Sequence, residues 1–171
     1  MTKELLLLRH AKSSRDEPGL ADIDRPLNGR GRKDAVRVGR LMAERGLVPD
    51  LALCSPAVRT RETLALVEEG LGRTLNSRID AVIYMAEPRA LLALLRSLTG
   101  EIERVMVVGH DPGLPGLALM LAKGSSGPML DRLKQKFPTA ALAVLTTNLD
   151  SWRALNPGTC EIRSFFVPKE I

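Results

Sequence analysis

Two histidines occur in the 171 residues, His10 and His110, and each sits where a short apolar run meets a turn. In "LLLLRH" the histidine follows Arg9, and in "VMVVGH" it follows Gly109. Another arginine, Arg59, comes shortly after the apolar stretch "LALC", in "SPAVRT". Neutral imidazole is a competent nucleophile near neutral pH and can form a covalent intermediate. Guanidinium groups give planar, bidentate recognition of phosphate. A site built from Arg9, His10, Arg59 and His110 is therefore suited to hold a tetrahedral dianion and attack it. Metal binding is the competing use of two histidines. It lacks nearby carboxylates at helical spacing, and arginines would repel the cation. No metal ligands and no cofactor are expected.

These residues are far apart in the chain, so the elements between them must bring them together. Lys3–Leu8 reads as a strand buried on both faces, and residues 11–27 as a polar loop. Asn28 caps a helix running to about Arg45, stopped by Gly46. Leu51–Cys54 is a second strand, after which Ser55-Pro56 opens a helix toward Gly70. A third strand is expected at Ile79–Tyr84, a helix at Pro88–Leu98, and a fourth strand at Arg104–Val108. A helix over Gly113–Ala122, a short one over Leu130–Phe137, and strands at Ala140–Thr146 and Ile162–Val167 complete the chain. This alternation predicts an α/β layered fold with a largely parallel sheet, in one domain covering residues 1–171. Ligands of such sheets bind outside the carboxyl ends of the strands. Arg9-His10, Ser55 to Arg59, Tyr84 to Glu87 and Gly109-His110 all fall at those ends.

Composition narrows the partners. Aromatic residues make up only 3% of the chain, which argues against nucleic-acid binding by base stacking. A net charge of +5 suits anionic partners, phosphorylated ones among them. Cys54 and Cys160 form neither a disulfide framework nor a metal-ligand spacing, as in a reduced cytoplasmic protein. The apolar stretch of "MTKELLLLRH" is too short for a signal peptide. No segment reaches the ~18 apolar residues of a membrane span.

The segments "LLLLRHAKSS", "DRPLNGRGRKDA", "CSPAVRTRETL" and "VMVVGHDPGL" resemble the successive motifs of the histidine phosphatase superfamily. The short chain, the "DIDRPL" loop and "FPTAALAVL" resemble its SixA-type phosphohistidine phosphatase branch. The resemblance implies a three-layer α/β/α sandwich with a mostly parallel central sheet, the phosphoglycerate mutase-like fold. It implies that His10 is transiently phosphorylated and that Arg9, Arg59 and His110 bind and stabilise the phosphoryl oxygens. Arg25 would join them as a substrate-binding residue, or else simply pair with Asp22 or Asp24. Many superfamily members that cleave esters carry an acidic proton donor in an insertion after the second helix. Here the chain passes from Gly72 to the third strand in a few residues. Glu87 and Asp111 are the remaining carboxylates, Glu87 at the pocket mouth or capping the next helix, Asp111 favouring the imidazolium form of His110. A P–N bond needs less acid assistance than an ester, because imidazole is a far better leaving group than an alkoxide. The implied activity is thus a metal-independent phosphatase acting on phosphohistidine in a protein. The alternatives are a phosphomonoesterase acting on a sugar or nucleotide phosphate, and a non-catalytic phosphoprotein-binding module.

Overall fold

The four leucines of the first strand alternate between the two faces of a six-stranded sheet. Leu5 and Leu7 pack into one core, Leu6 and Leu8 into the other. A computed structural model describes residues 2–171. Its strands are β1 (Lys3–Arg9), β2 (Leu51–Cys54), β3 (Ser77–Ile79), β4 (Arg104–Gly109), β5 (Leu142–Thr147) and β6 (Glu161–Phe166). Five helices accompany them: α1 (Gly29–Glu44), α2 (Val58–Leu71), α3 (Pro88–Arg96), α4 (Gly113–Leu121) and α5 (Pro128–Gln135).

The strand order is β3-β2-β4-β1-β5-β6. The first four strands in that order run parallel, β5 is antiparallel to β1, and β6 is antiparallel to β5. Helices α1 and α2 cover one face through Val38, Met42, Leu64 and Val67. Helices α3, α4 and α5 cover the other through Leu91, Leu95, Leu117 and Leu133. This is the expected three-layer α/β/α sandwich with a mostly parallel sheet. Strand β1 lies inside the sheet, and Leu6, Leu7 and Leu8 are each 0% exposed. Truncating one such leucine to alanine costs about 2–5 kcal/mol.

Local signals hold well in the first half of the chain. The Asn28 side chain accepts from the Gly31 N–H at 2.8 Å, and Gly46 adopts φ +66° just after α1. Helices α1 and α2 approach through glycine. A Cβ at Gly39 would lie 2.2 Å from the Val67 carbonyl oxygen, and one at Gly70 would lie 2.1 Å from that of Val36.

Two expectations are overturned. Helix α2 begins at Val58, and its N-cap residue Ala57 has no side-chain cap, so Ser55-Pro56 does not open it. Ser55 is instead fully buried. The run Ile79–Tyr84 is not a strand: pairing with β2 stops at Ile79, and a 3-10 turn covers Ala81–Ile83. The Asp80 side chain accepts from the Val82 N–H at 3.0 Å and so nucleates that turn. Its apolar pattern misled because only Ile83 is buried in the core. Among the described residues no helix is long and apolar enough to cross a membrane.

Candidate active site

Parallel pairing of β1 with β4 matches Leu5 to Val105 and Arg9 to Gly109. The next residues, His10 and His110, therefore leave neighbouring strands side by side. Their ring centroids are 5.5 Å apart, and each residue is 6% exposed. Strand β2 flanks β4 with Cys54 opposite Val108, which brings Ser55 to the same edge. Helix α2 then carries Arg59 in its first turn, 3% exposed. A cavity of about 480 Å³ opens there, lined by Arg9, His10, Arg25, Arg59 and His110 together with Lys12, Arg15, Asp22 and Asp111. The residues singled out from the sequence thus meet at one sheet edge.

Hydrogen bonds define the state of each ring. His10 Nδ1 lies 2.7 Å from the Ala11 carbonyl oxygen. A carbonyl only accepts, so Nδ1 carries the proton and Nε2 the lone pair. Burial first, then the charges of Arg59 and Arg9, push the His10 pKa down to about 3. The ring is uncharged at neutral pH. His110 Nδ1 lies 3.4 Å from Arg59 Nη2, which can only donate, so Nε2–H donates to Ser55 Oγ at 2.7 Å. Burial and the Arg59 charge hold the His110 pKa down to about 4. The expected stabilisation of an imidazolium by Asp111 is overturned. The carboxylate that opposes the shift of His110 is Asp22, while Asp111 acts on Arg9.

Both arginines have donors to spare. Arg9 Nη1 donates to the Phe137 carbonyl at 2.8 Å, and Arg59 Nη1 to the Asp22 carbonyl at 2.7 Å. Their Nε atoms are the buried side-chain nitrogens or oxygens without a partner among the described residues. An unpaired buried donor is costly, and both arginines line the cavity. Among the described residues, no group of three or more His, Cys, Asp and Glu could hold a metal.

Asp22, read from the sequence only as a partner for Arg25, is the hub of the site. Its carboxylate accepts from Tyr84 Oη at 2.6 Å, Arg59 Nη2 at 3.0 Å, and Arg25 Nε and Nη2 at 3.2 and 3.1 Å. Tyr84 first, then Arg25 and Arg59, hold it well below the usual carboxylate range. Arg25 therefore both pairs with Asp22 and lines the cavity, with Nη1 also 2.8 Å from Ser13 Oγ. Thr63 was missed in the sequence. Its hydroxyl donates to the Arg59 carbonyl at 2.7 Å and accepts from the Ala11 N–H at 3.0 Å, tying the His10 loop to α2. Glu87 occupies the N-cap position of α3 without a side-chain cap bond and does not line the cavity. It stands in the cap position expected for it, without the cap bond, and away from the cavity wall. Of the two, only Asp111 reaches the cavity wall.

Comparison with known proteins agrees with this geometry. Residues 5–81 match the family described as the histidine phosphatase superfamily (branch 1). A Mycobacterium tuberculosis protein of uncharacterized function is 34% identical over 164 residues, which is 95% of this chain and 100% of its own. A structure from Agrobacterium tumefaciens, described as a candidate phosphohistidine phosphatase SixA, superposes with a TM-score of 0.81 at 30% identity, covering 97% of this chain and 98% of that one. Another so described, from Nakamurella multipartita, gives 0.85 at 28% identity, covering 98% and 97%. With relatives matched end to end and an arginine- and histidine-lined cavity at the sheet edge, the chain belongs to the histidine phosphatase superfamily.

Proposed function

We propose that this protein is a metal-independent phosphatase that transfers a phosphoryl group to His10 and then to water, with phosphohistidine in a protein as its substrate. Membership of the family supports hydrolase chemistry in general. The observation that carries the finer reading is the state of His10, an uncharged ring with its lone pair on Nε2. Arg9 and Arg59, which line the cavity, hold the phosphoryl oxygens with their guanidinium groups. Nε2 attacks phosphorus, the P–N bond of the substrate breaks, and its electron pair leaves with the substrate imidazole, which takes a proton from water. Charge developing on the transferring group is stabilised by Arg9, Arg59 and His110. A bound dianion favours the charged form of His110, against the burial that holds its value down to about 4. The hydroxide left by that water then attacks phosphorus, the bond from His10 Nε2 to phosphorus breaks with its electron pair returning to Nε2, and phosphate leaves. Arg25 binds substrate from the cavity edge.

The leaving group selects the substrate. Asp22 is held ionised, and Glu87 stands outside the cavity. Neither can protonate an alkoxide, whereas imidazole leaves without such help. Similarity to the two structures described as candidate phosphohistidine phosphatases supports the same substrate. A second reading, hydrolysis of a small phosphate ester, is favoured by Asp111, whose carboxylate lines the cavity and could act as the acid.

A turnover assay separates the two, comparing a phosphohistidine peptide, an aryl phosphate and an alkyl phosphate, with and without excess EDTA. Phosphohistidine should be cleaved fastest, and aryl phosphate should exceed alkyl phosphate by about 10²–10⁴-fold, the usual worth of a general acid. Chelation should leave every rate unchanged. Equal rates on the two esters would establish a working acid and sink the P–N preference.

A further inference from the structure

We propose that the segment Ile79–Met85 is a docking shelf for the phosphorylated protein, seating an apolar side chain that flanks its phosphohistidine. This inference rests on the protein-phosphohistidine reading above. Ile79, Val82 and Met85 are the exposed large hydrophobic residues among those described, at 51%, 50% and 61%. All fall within one short segment. Scattered apolar residues on a surface need no explanation, but a cluster beside a cavity does. Met85 joins the two features, because it also lines the phosphate cavity.

The shelf is held rigidly. Ile83, 2% exposed, anchors the turn in the core against the backbone of Gly109, immediately before His110. Tyr84 donates its hydroxyl to Asp22, which also accepts from Arg59, so the segment is fixed to the phosphate clamp itself. Between these anchors and α3, Met85 adopts φ +56°. Such a conformation costs a residue that bears a Cβ, and strain of this kind gathers at ligand clamps. It leaves a flexible, polarisable side chain exposed at the mouth, the residue type best able to adapt to varied apolar partners.

Charge identifies the occupant. Lys12, Arg15 and Arg25 line the same cavity, and the chain carries a net charge of +5. An acidic segment carrying phosphohistidine and an apolar neighbour complements both features. A second copy of this chain would bring like charge against like.

Two peptides phosphorylated on a central histidine with phosphoramidate test the shelf. One has leucine and glutamate beside the histidine, the other serine and glutamate, and an aryl phosphate provides the reference rate. Wild-type protein is compared with the double variant Ile79→Ser, Val82→Ser, its fold verified by circular dichroism. Both positions are exposed, and neither lines the cavity. Relative to the reference, kcat/KM of the wild type should favour the leucine–glutamate peptide by about tenfold, the effect of burying one apolar side chain. The double variant should lose that preference. Equal rates on the two peptides in the wild type, or a preference that survives in the double variant, would overturn the shelf. A dimer in sedimentation that the double variant abolishes would assign the patch to self-association instead. Hydrolysis of the aryl phosphate with neither peptide cleaved would instead remove the phosphohistidine reading, and the shelf with it.

Discussion

The Ala11 carbonyl binds the Nδ1–H of His10, so the lone pair of that ring sits on Nε2, and burial keeps the ring uncharged. His110 is held differently, between Arg59 and Ser55. Substitution at the two positions should therefore have different consequences. His10→Ala should abolish both the phosphoenzyme and turnover, because no other group forms the bond to phosphorus. His110→Ala should slow turnover by about 10²–10³-fold, the cost of one preorganised donor, and should still form a phosphoenzyme. Rapid-quench labelling with radioactive phosphate, followed by peptide mapping, reads both outcomes. Acid-labile label on His110, or full turnover in His10→Ala, would reverse the roles.

One hydroxyl bridges two of the elements that build the site. Thr63 on α2 accepts from the Ala11 N–H and donates to the Arg59 carbonyl, so the loop after His10 is registered against the helix that carries Arg59. Thr63→Val keeps the shape but leaves the Ala11 N–H unsatisfied in a buried place. Stability should fall by about 1–3 kcal/mol, read from the urea midpoint at unchanged slope. Because Ala11 also supplies the carbonyl that fixes the His10 ring, kcat should fall more than KM rises. Thr63→Ser, which restores the hydroxyl, should recover kcat. A Thr63→Val enzyme with wild-type kcat would make the bridge purely structural. The close contact of Gly31 with Lys12 holds the same loop from α1, where a Cβ would lie 2.1 Å from the Lys12 carbonyl oxygen.

For the molecule as a whole, the buried histidines tie stability to pH. Both folded pKa values, about 3 for His10 and about 4 for His110, lie below the usual value of 6.5. Below about pH 6.5 the unfolded chain binds protons that the folded chain refuses, so stability present above that point is lost as pH falls toward the folded values. The urea midpoint should therefore drop between about pH 7 and about pH 5, and His110→Gln should make that drop shallower. A midpoint that rises on acidification, or a slope the same in both proteins, would show that His110 is not buried uncharged. Asp22 acts in the same direction at lower pH. Its carboxylate binds protons more weakly when folded, so its contribution holds above the ordinary carboxylate range and is lost below it.

Periodicity and local punctuation determined much of this protein. The all-apolar runs of β1 and β4 specify strands buried on both faces, Asn28 and Gly46 specify where α1 starts and stops, and the alternation of elements specifies a mostly parallel sheet. Arg9, His10 and His110 were legible as a set because they follow directly on such runs, and strand ends gather at one edge of a parallel sheet. Tertiary structure alone decided the rest. Ser55 resembles a helix cap in its local pattern, yet its hydroxyl serves His110, 55 residues away in the chain. Asp22 is separated from Arg59 by 37 residues and from Tyr84 by 62, and Thr63 from Ala11 by 52. The turn at Ala81–Ile83 reads as a strand until it is seen that β2 offers no partner beyond Cys54. A hydrophobic pattern records which face of an element is buried, and carries no information on which polar group will lie opposite it once the layers close.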